Sequence, residues 1–173
     1  MKLKTCAVLC VSFLILASQL TAFDGQRKGF ILGGGIGGGS LSWNGYTDFN
    51  KGVFATNFII GYAPSNSLEI YYTNNVSFFS QEGSDYYIGV TGLGVTKYTK
   101  PEGKGLFFCG GIGISVLAGY SGWDTGSDTG FGALAGLGYD VAKHWRIQGE
   151  VMYTTIHDST SWSFRATLNI IGF

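Results

Sequence analysis

The sequence predicts an all-β fold, an eight-stranded antiparallel up-and-down transmembrane β-barrel. Segments of about ten residues alternate between apolar and small or polar side chains, as strands do when one face meets lipid and the other lines a barrel interior. Turn-forming residues separate these segments at short intervals. The composition is also unusual for a water-soluble domain, with 29 glycines, 2 prolines, 16% aromatic residues and only 13% charged residues.

The first 22 residues have the organisation of a cleavable secretory signal peptide. Lys2 and Lys4 precede an apolar run over residues 6–17, and a short polar stretch then ends at Ala22. The apolar run is shorter than the roughly 20 residues that a membrane-spanning helix needs. We therefore expect a signal peptide over residues 1–22 and a single barrel domain over residues 23–173.

Charge and cysteine content exclude several function classes. Without Lys2 and Lys4, the 11 basic residues fall to 9 against 11 acidic residues, which argues against nucleic acid as a partner. Two of the three cysteines lie in the predicted signal peptide, so Cys109 has no partner for an intramolecular disulfide. We expect no cofactor and no metal site.

The first four strands are predicted at residues 29–42, 53–62, 67–76 and 86–98. The first contains the run Gly33–Gly39, which formally includes a GxGxxG dinucleotide-binding pattern. No helical pattern follows it, so we interpret the glycines as allowing tight packing of a coiled strand. In the second and third strands, the outward set is predicted to be Phe54, Thr56, Phe58, Ile60, Tyr62, Leu68, Ile70 and Tyr72.

The last four strands are predicted at residues 105–118, 130–141, 145–156 and 161–173. Alternation is clearest in the final two. Their outward set is Trp145, Ile147, Gly149, Val151, Tyr153, Trp162, Phe164, Ala166, Leu168 and Ile170. Their inward set is Arg146, Gln148, Glu150, Met152, Thr154, Ser163, Arg165, Thr167 and Asn169.

Large aromatic residues near strand ends distinguish this pattern from that of a soluble β-sandwich. The residues are Tyr62, Tyr98, Trp145 and Trp162. Membrane barrels carry aromatic girdles at both water interfaces, and we predict that these four residues contribute to such girdles.

The connections fall into two classes by position. Those after the second, fourth and sixth strands are short, at residues 63–66, 99–104 and 142–144, and contain Pro64 and Pro101. Those after the other strands are mostly longer, at residues 43–52, 77–85, 119–129 and 157–160. This is the arrangement of periplasmic turns and external loops, and an even strand number then places both termini in the periplasm.

The stretches GLFFCGGIGISVLAGY and GFGALAGLGYDVAKHWRIQGEVMYT resemble the glycine-rich hairpin and the aromatic-flanked short turn of small outer-membrane β-barrels. The resemblance, to barrels of the OmpX, OmpW and OmpA type, extends over essentially all of residues 23–173. It implies location in the outer membrane of a Gram-negative-type bacterium, with outer-membrane lipids, lipopolysaccharide and the outer-membrane assembly machinery as partners.

The terminal Phe173 resembles the C-terminal aromatic residue by which such barrels are recognised for assembly. The match is partial, because Arg165, Thr167 and Asn169 stand where that signal usually has apolar residues. A bulge near Ile170 or Ile171 would reconcile the two.

Four charged residues are predicted to face the interior: Glu69, Arg146, Glu150 and Arg165. Because an unpaired charge in a narrow lumen is costly, we expect them to pair as a polar network, with Glu150 diagonally across from Arg165. We interpret this network as a structural plug. The alternative interpretation is a gate in a narrow, porin-like channel for ions or a small solute.

A second alternative concerns His157 and Ser159, whose spacing resembles the His-x-Ser of PagL-type lipid A deacylases. Such a pair would supply a general base and a nucleophilic hydroxyl. Thr160 stands where that family has Asn, and no acidic residue follows Asp158, so we interpret the segment as a polar hairpin loop. We predict a structural or surface-interaction barrel without catalytic activity, with an external ligand contacted through loops 43–52, 77–85 and 119–129.

Overall fold

A computed structural model describes residues 27–45, 48–81, 83–121 and 124–173. The predicted signal peptide, residues 1–22, lies outside these ranges. Eight strands make up nearly all of the described chain. They are β1 (Gly29–Asn44), β2 (Phe49–Ser65), β3 (Leu68–Gln81), β4 (Ser84–Tyr98), β5 (Leu106–Ser121), β6 (Asp124–Ala142), β7 (Trp145–Ile156) and β8 (Ser159–Gly172).

Each strand pairs antiparallel with the next along the chain, and β1 pairs antiparallel with β8, so the sheet closes into a barrel. Among the eight described strands, closure leaves no free sheet edge, because the main-chain groups of each strand face a neighbour on both sides. The predicted eight-stranded up-and-down barrel is confirmed. Within the described ranges, no helix is long and apolar enough to cross a membrane.

The two ends of the barrel are distinguished by the positions of the chain termini. The terminal end is where β1 begins and β8 ends, and the distal end is opposite. At the distal end the strands extend beyond their predicted limits: β2 begins at Phe49, β3 continues to Gln81 and β6 begins at Asp124. The prediction of long loops at residues 43–52, 77–85 and 119–129 was therefore wrong in extent, because these polar segments continue the hydrogen-bonded ladders.

Two register shifts interrupt the ladders, both near the terminal end. One lies between Tyr62 and Ser65 in β2, and the other between Asp140 and Ala142 in β6. Pro64, predicted to lie in a turn, is instead part of β2 at the first of these shifts. Proline has no amide hydrogen to donate, which suits it to such an irregularity.

The outer face of the barrel is apolar, with exposed large hydrophobic side chains on all eight strands. In β2, Phe54 and Tyr62 bound the outward set, and eight residue steps separate them, about 26 Å along the strand or about 20 Å along the barrel axis for a tilt of about 40°. Trp145, Trp162 and their alternate neighbours in β7 and β8 point outward as predicted, and the intervening residues are buried. The period-two prediction is confirmed in these strands.

The last strand keeps its alternation to the end. No register shift occurs in β8 against either β7 or β1, so the predicted bulge near Ile170 or Ile171 is absent from the ladder. Ile171 and Phe173 consequently point inward and are buried. They fit there because the terminal end of the lumen is lined by an apolar cluster that also includes Ile31, Ile59 and Tyr71.

The glycine run Gly33–Gly39 lies wholly within β1. A Cβ added at Gly37 or Gly39 would overlap the main-chain carbonyl group of Ala166 or Phe164 in β8. The glycines thus permit close approach of β1 and β8 where the barrel closes, as expected for a packed strand rather than a nucleotide-binding loop.

Candidate functional site

The terminal end of the lumen contains a buried ionic network centred on Glu69. Arg27 donates from Nη1 to Glu69 Oε1 at 2.8 Å, from Nη2 to Asp140 Oδ2 at 2.6 Å, and from Nε to the carbonyl oxygen of Gly103 at 3.1 Å. Arg146 Nη2 donates to both carboxylate oxygens of Glu69, at 3.1 and 3.2 Å. Glu69 therefore balances two guanidinium groups at a site where its own side chain is fully buried.

Aromatic rings enclose this network. The guanidinium carbon of Arg27 lies 4.3 Å from the ring centroids of both Tyr98 and Phe173, and that of Arg146 lies 5.0 Å from the centroid of Phe107. Cations stacked on ring faces in this way are stabilised most when water is excluded. Arg27 and Asp140 belong to the network although neither was predicted to.

The middle of the lumen holds a separate ion pair, between Glu150 and Arg165. The two residues are direct partners in the β7–β8 register, whereas the sequence predicted a diagonal pair. Gln148 Nε2 donates to Glu150 Oε2 at 2.8 Å, and Arg165 Nη2 donates to Asn75 Oδ1 at 2.6 Å. The four predicted network residues are thus all inside the barrel, but they form two separate ion pairs rather than one network.

Among the described residues, side chains fill the middle of the lumen. The cavity between the two ion pairs measures about 10 Å³, about the space of a single water-sized sphere. Toward the distal end, a buried apolar cluster that includes Leu41, Ile88, Val90 and Met152 continues the filling. An eight-stranded barrel interior is only wide enough to be packed in this way.

On the distal side of the apolar cluster, four aromatic side chains form a row around the inside of the distal mouth. Ring centroids are 6.2 Å apart for Trp43 and Phe49, 5.7 Å for Phe49 and Phe79, and 5.6 Å for Phe79 and Tyr86. The first pair is nearly parallel, with an interplanar angle of 6°. These rings, with Gln81 and Leu117, line a cavity of about 210 Å³. All of these residues except Tyr86 and Leu117 lie in segments that the sequence predicts as loops, so the alternation pattern did not reveal this feature.

Exposed charges differ in sign between the two ends. At the distal end, the exposed acidic residues among those described are Asp48, Asp85, Asp128 and Asp158, and Lys51 is the basic residue. At the terminal end the exposed basic residues are Lys28, Lys97, Lys100, Lys104 and Lys143, accompanied by Glu102. The distal mouth is therefore acidic and the terminal end basic.

The candidate catalytic residues lie at the β7–β8 turn. His157 adopts a positive φ of 50° in this two-residue turn, and its Nε2 lies 3.2 Å from Asp128 Oδ1. Ser159 is the first residue of β8, and within the described ranges no hydrogen bond joins it to His157. Trp123, in the predicted loop 119–129, lies outside the described residues. No cluster of three or more metal-ligating residues occurs in the described parts of the chain.

Three of the four predicted interfacial aromatics, Tyr62, Trp145 and Trp162, lie on the outer face. The prediction was wrong for Tyr98, which is 2% exposed and points into the lumen, where its hydroxyl donates to Asp140 Oδ1 at 3.2 Å. Phe173 also lies inside, with its ring centroid 4.9 Å from that of His144.

No protein-family model and no curated protein sequence matches this chain. Solved structures do match. Ail of Yersinia pestis, in complex with the heparin analogue sucrose octasulfate, is 13% identical with a TM-score of 0.61 over 83% of this chain and 99% of Ail. Neisserial surface protein A is 13% identical with a TM-score of 0.58, over 83% of this chain and 97% of that protein.

The N-terminal barrel domain of Pseudomonas aeruginosa OprF is also 13% identical, with a TM-score of 0.54 over 83% of this chain and 98% of that domain. Sequence identities this low support a statement about fold alone. The strand number, the closed antiparallel order and these matches agree: the chain has the fold of the small eight-stranded outer-membrane β-barrels.

Proposed function

We propose that this protein is a non-conducting outer-membrane barrel, without catalytic activity, that presents its distal end outside the cell as an interaction surface. The observation that carries the proposal is the filled lumen. In the part of the chain that the structure describes, the ionic network of Glu69, the Glu150–Arg165 pair, an apolar cluster and a cavity of only about 10 Å³ between the ionic groups leave no path for a hydrated ion. A barrel without a path acts through its ends and its outer face.

The outer face supports location in the outer membrane of a Gram-negative-type bacterium. Its apolar side chains form a continuous belt, and aromatic residues occur on both sides of it, with Tyr62, Tyr139 and Trp145 toward the terminal end and Tyr87 and Trp162 toward the distal end. Such girdles suit the lipid headgroup region. Lipids and lipopolysaccharide are then the immediate partners, and the signal peptide and the assembly role of Phe173 remain predictions.

The ligand of a structural neighbour does not fit this chain. Ail is described with a sulfated sugar analogue, which is strongly anionic. The distal mouth here carries four exposed aspartates against one lysine among the described residues. Because like charges repel, we expect no heparin-like ligand at this end.

Single-channel recording in planar bilayers tests the closed lumen. We expect the wild-type barrel to give no discrete conductance, because the Glu150–Arg165 pair and its neighbours fill the middle of the lumen. The double variant Glu150→Ala/Arg165→Ala removes both charges and much side-chain volume from the middle of the lumen. A large porin, reconstituted in parallel, verifies that the assay detects conductance. Discrete wild-type conductance that is lost in the Glu150 or Arg165 variants would establish the narrow-channel alternative and overturn the proposal.

A further inference from the structure

We infer that the distal mouth is a binding site for an organic cation. The cation is about the size of one aromatic ring and carries a substituted ammonium group. This inference rests on the proposed function, since it assigns a ligand class to the distal interaction surface. Three features of the mouth support it: a row of aromatic rings, an acidic rim and a closed floor.

The aromatic row provides the contact surface. Trp43, Phe49 and Tyr86 are only partly buried, so their rings remain open to the cavity that they line with Phe79. The electron-rich face of an aromatic ring attracts cations, and cages of several rings are the usual binding sites of quaternary ammonium groups. At about 210 Å³, the cavity is smaller than the roughly 300–1,000 Å³ of sites for drug-sized molecules. It therefore suits a single ring or a trimethylammonium group.

The surrounding charges select the sign of the ligand. Asp48 and Asp85 directly precede Phe49 and Tyr86 in the chain and are exposed at the rim of the barrel, outside the set of residues that line the cavity. Asp85 Oδ1 accepts a hydrogen bond from Ser80 Oγ at 2.6 Å. Lys51 is the basic residue of the described distal end, and its Nζ is 3.4 Å from the carbonyl oxygen of Ser80. The aspartates attract a cation and repel an anion, whereas they give a neutral molecule no advantage.

The apolar cluster closes the floor of the cavity. Phe79, which lines the cavity, belongs to the buried cluster that also contains Leu41, Ile88 and Ile156. A ligand that enters the mouth therefore stops there, and the site is one of binding rather than of passage. The closed floor also excludes water from one side of the ligand, which strengthens cation–aromatic contacts.

Calorimetry on the purified full chain, folded in an uncharged maltoside detergent, tests this site. The probe is phenyltrimethylammonium, compared with the neutral 2-phenylpropan-2-ol and the anionic benzenesulfonate. Phosphocholine detergents are avoided because they carry the same cation. We expect the cation to bind at least about tenfold more tightly than the neutral compound and the anion to show no binding.

Three variants locate the site. Phe49→Leu keeps apolar volume but removes the ring face and should weaken binding of the cation about tenfold, whereas Phe54→Leu, on the outer face, should leave it unchanged. The double variant Asp48→Asn/Asp85→Asn should weaken binding of the cation and leave binding of the neutral compound unchanged. Equal affinities for the cation and the neutral compound, wild-type affinity in Phe49→Leu, or no cation binding would each overturn the inference. These outcomes leave the closed lumen untouched, because conductance tests it separately.

Discussion

At the scale of single residues, the barrel interior is governed by the cost of burying charge. The lumen contains three guanidinium groups and three carboxylates, so its charges balance. The guanidinium groups belong to Arg27, Arg146 and Arg165, and the carboxylates to Glu69, Asp140 and Glu150. Removal of one member of such a set leaves its partner both unpaired and desolvated. Glu69 is the most sensitive member, because two guanidinium groups depend on it.

Substitution Glu69→Gln tests this dependence. We expect a loss of about 3–5 kcal/mol in the free energy of unfolding, because Arg146 would lose its carboxylate partner and Arg27 would keep only that of Asp140. Urea unfolding of the barrel in lipid vesicles, followed by tryptophan fluorescence, measures it. Glu102→Gln, in the exposed β4–β5 turn, is the matched control and should change stability by no more than about 0.5 kcal/mol. Equal small effects would show that the network contributes little.

The sequence allowed the inward position of Glu69, Arg146, Glu150 and Arg165 to be predicted, because a charge alternates with large apolar residues in their strands. It did not reveal Arg27, which precedes the first strand and is fixed only by tertiary contacts with distant residues. Tyr98 was assigned to the wrong face for another reason. In β4 both faces carry apolar residues, such as Tyr86 and Ile88 inside and Tyr87 and Leu93 outside, so alternation does not identify the inner face.

At the scale of strands, cross-strand pairs of glycine and aromatic residues allow bulky rings inside a narrow barrel. Phe107 is the register partner of Gly138, and Tyr86 is the partner of Gly119. A Cβ added at Gly119 would lie 2.6 Å from Tyr86 Cε1. The glycine of each pair gives the ring space that any side chain would occupy. Such pairs are invisible in a period-two pattern, since they depend on register between strands.

Substitution Gly138→Ala tests this role. The new Cβ would lie 2.8 Å from Phe107 Cε2 and 2.5 Å from the carbonyl oxygen of Ile147, so the ring and the strand must both shift. We expect a loss of about 1–3 kcal/mol in the free energy of unfolding in vesicles, as for other overpacked cores. Gly149→Ala is the control, because its nearest neighbouring atom, the carbonyl oxygen of Leu137, is 4.0 Å away and the position faces outward. An equal loss in both variants would indicate an effect of strand propensity instead.

At the scale of the whole molecule, the two ends of the barrel differ in the sign of their exposed charges. Five exposed lysines surround the terminal end, and aspartates surround the distal end. The even strand number predicts both termini in the periplasm, where the lysines of the terminal end would meet anionic phospholipid headgroups. In this predicted orientation the acidic distal mouth would be outside, where the proposed cation site would meet its ligand. Neither the sign difference nor the aromatic row is apparent until the strands are closed into a barrel, because each draws on residues far apart in the chain.

Cysteine labelling on intact cells tests this orientation. We expect Asp158→Cys, in the distal β7–β8 turn, to react with a membrane-impermeant maleimide, and Lys143→Cys, in the β6–β7 turn at the terminal end, to react only after the envelope is permeabilised. The unsubstituted chain is the control, because Cys109 is buried and Cys6 and Cys10 would leave with the predicted signal peptide, so no labelling is expected in either condition. Labelling of Lys143→Cys alone in intact cells would reverse the orientation and place the lysines outside. Labelling of both variants only after permeabilisation would remove the distal mouth from the cell surface and, with it, the basis for an external interaction.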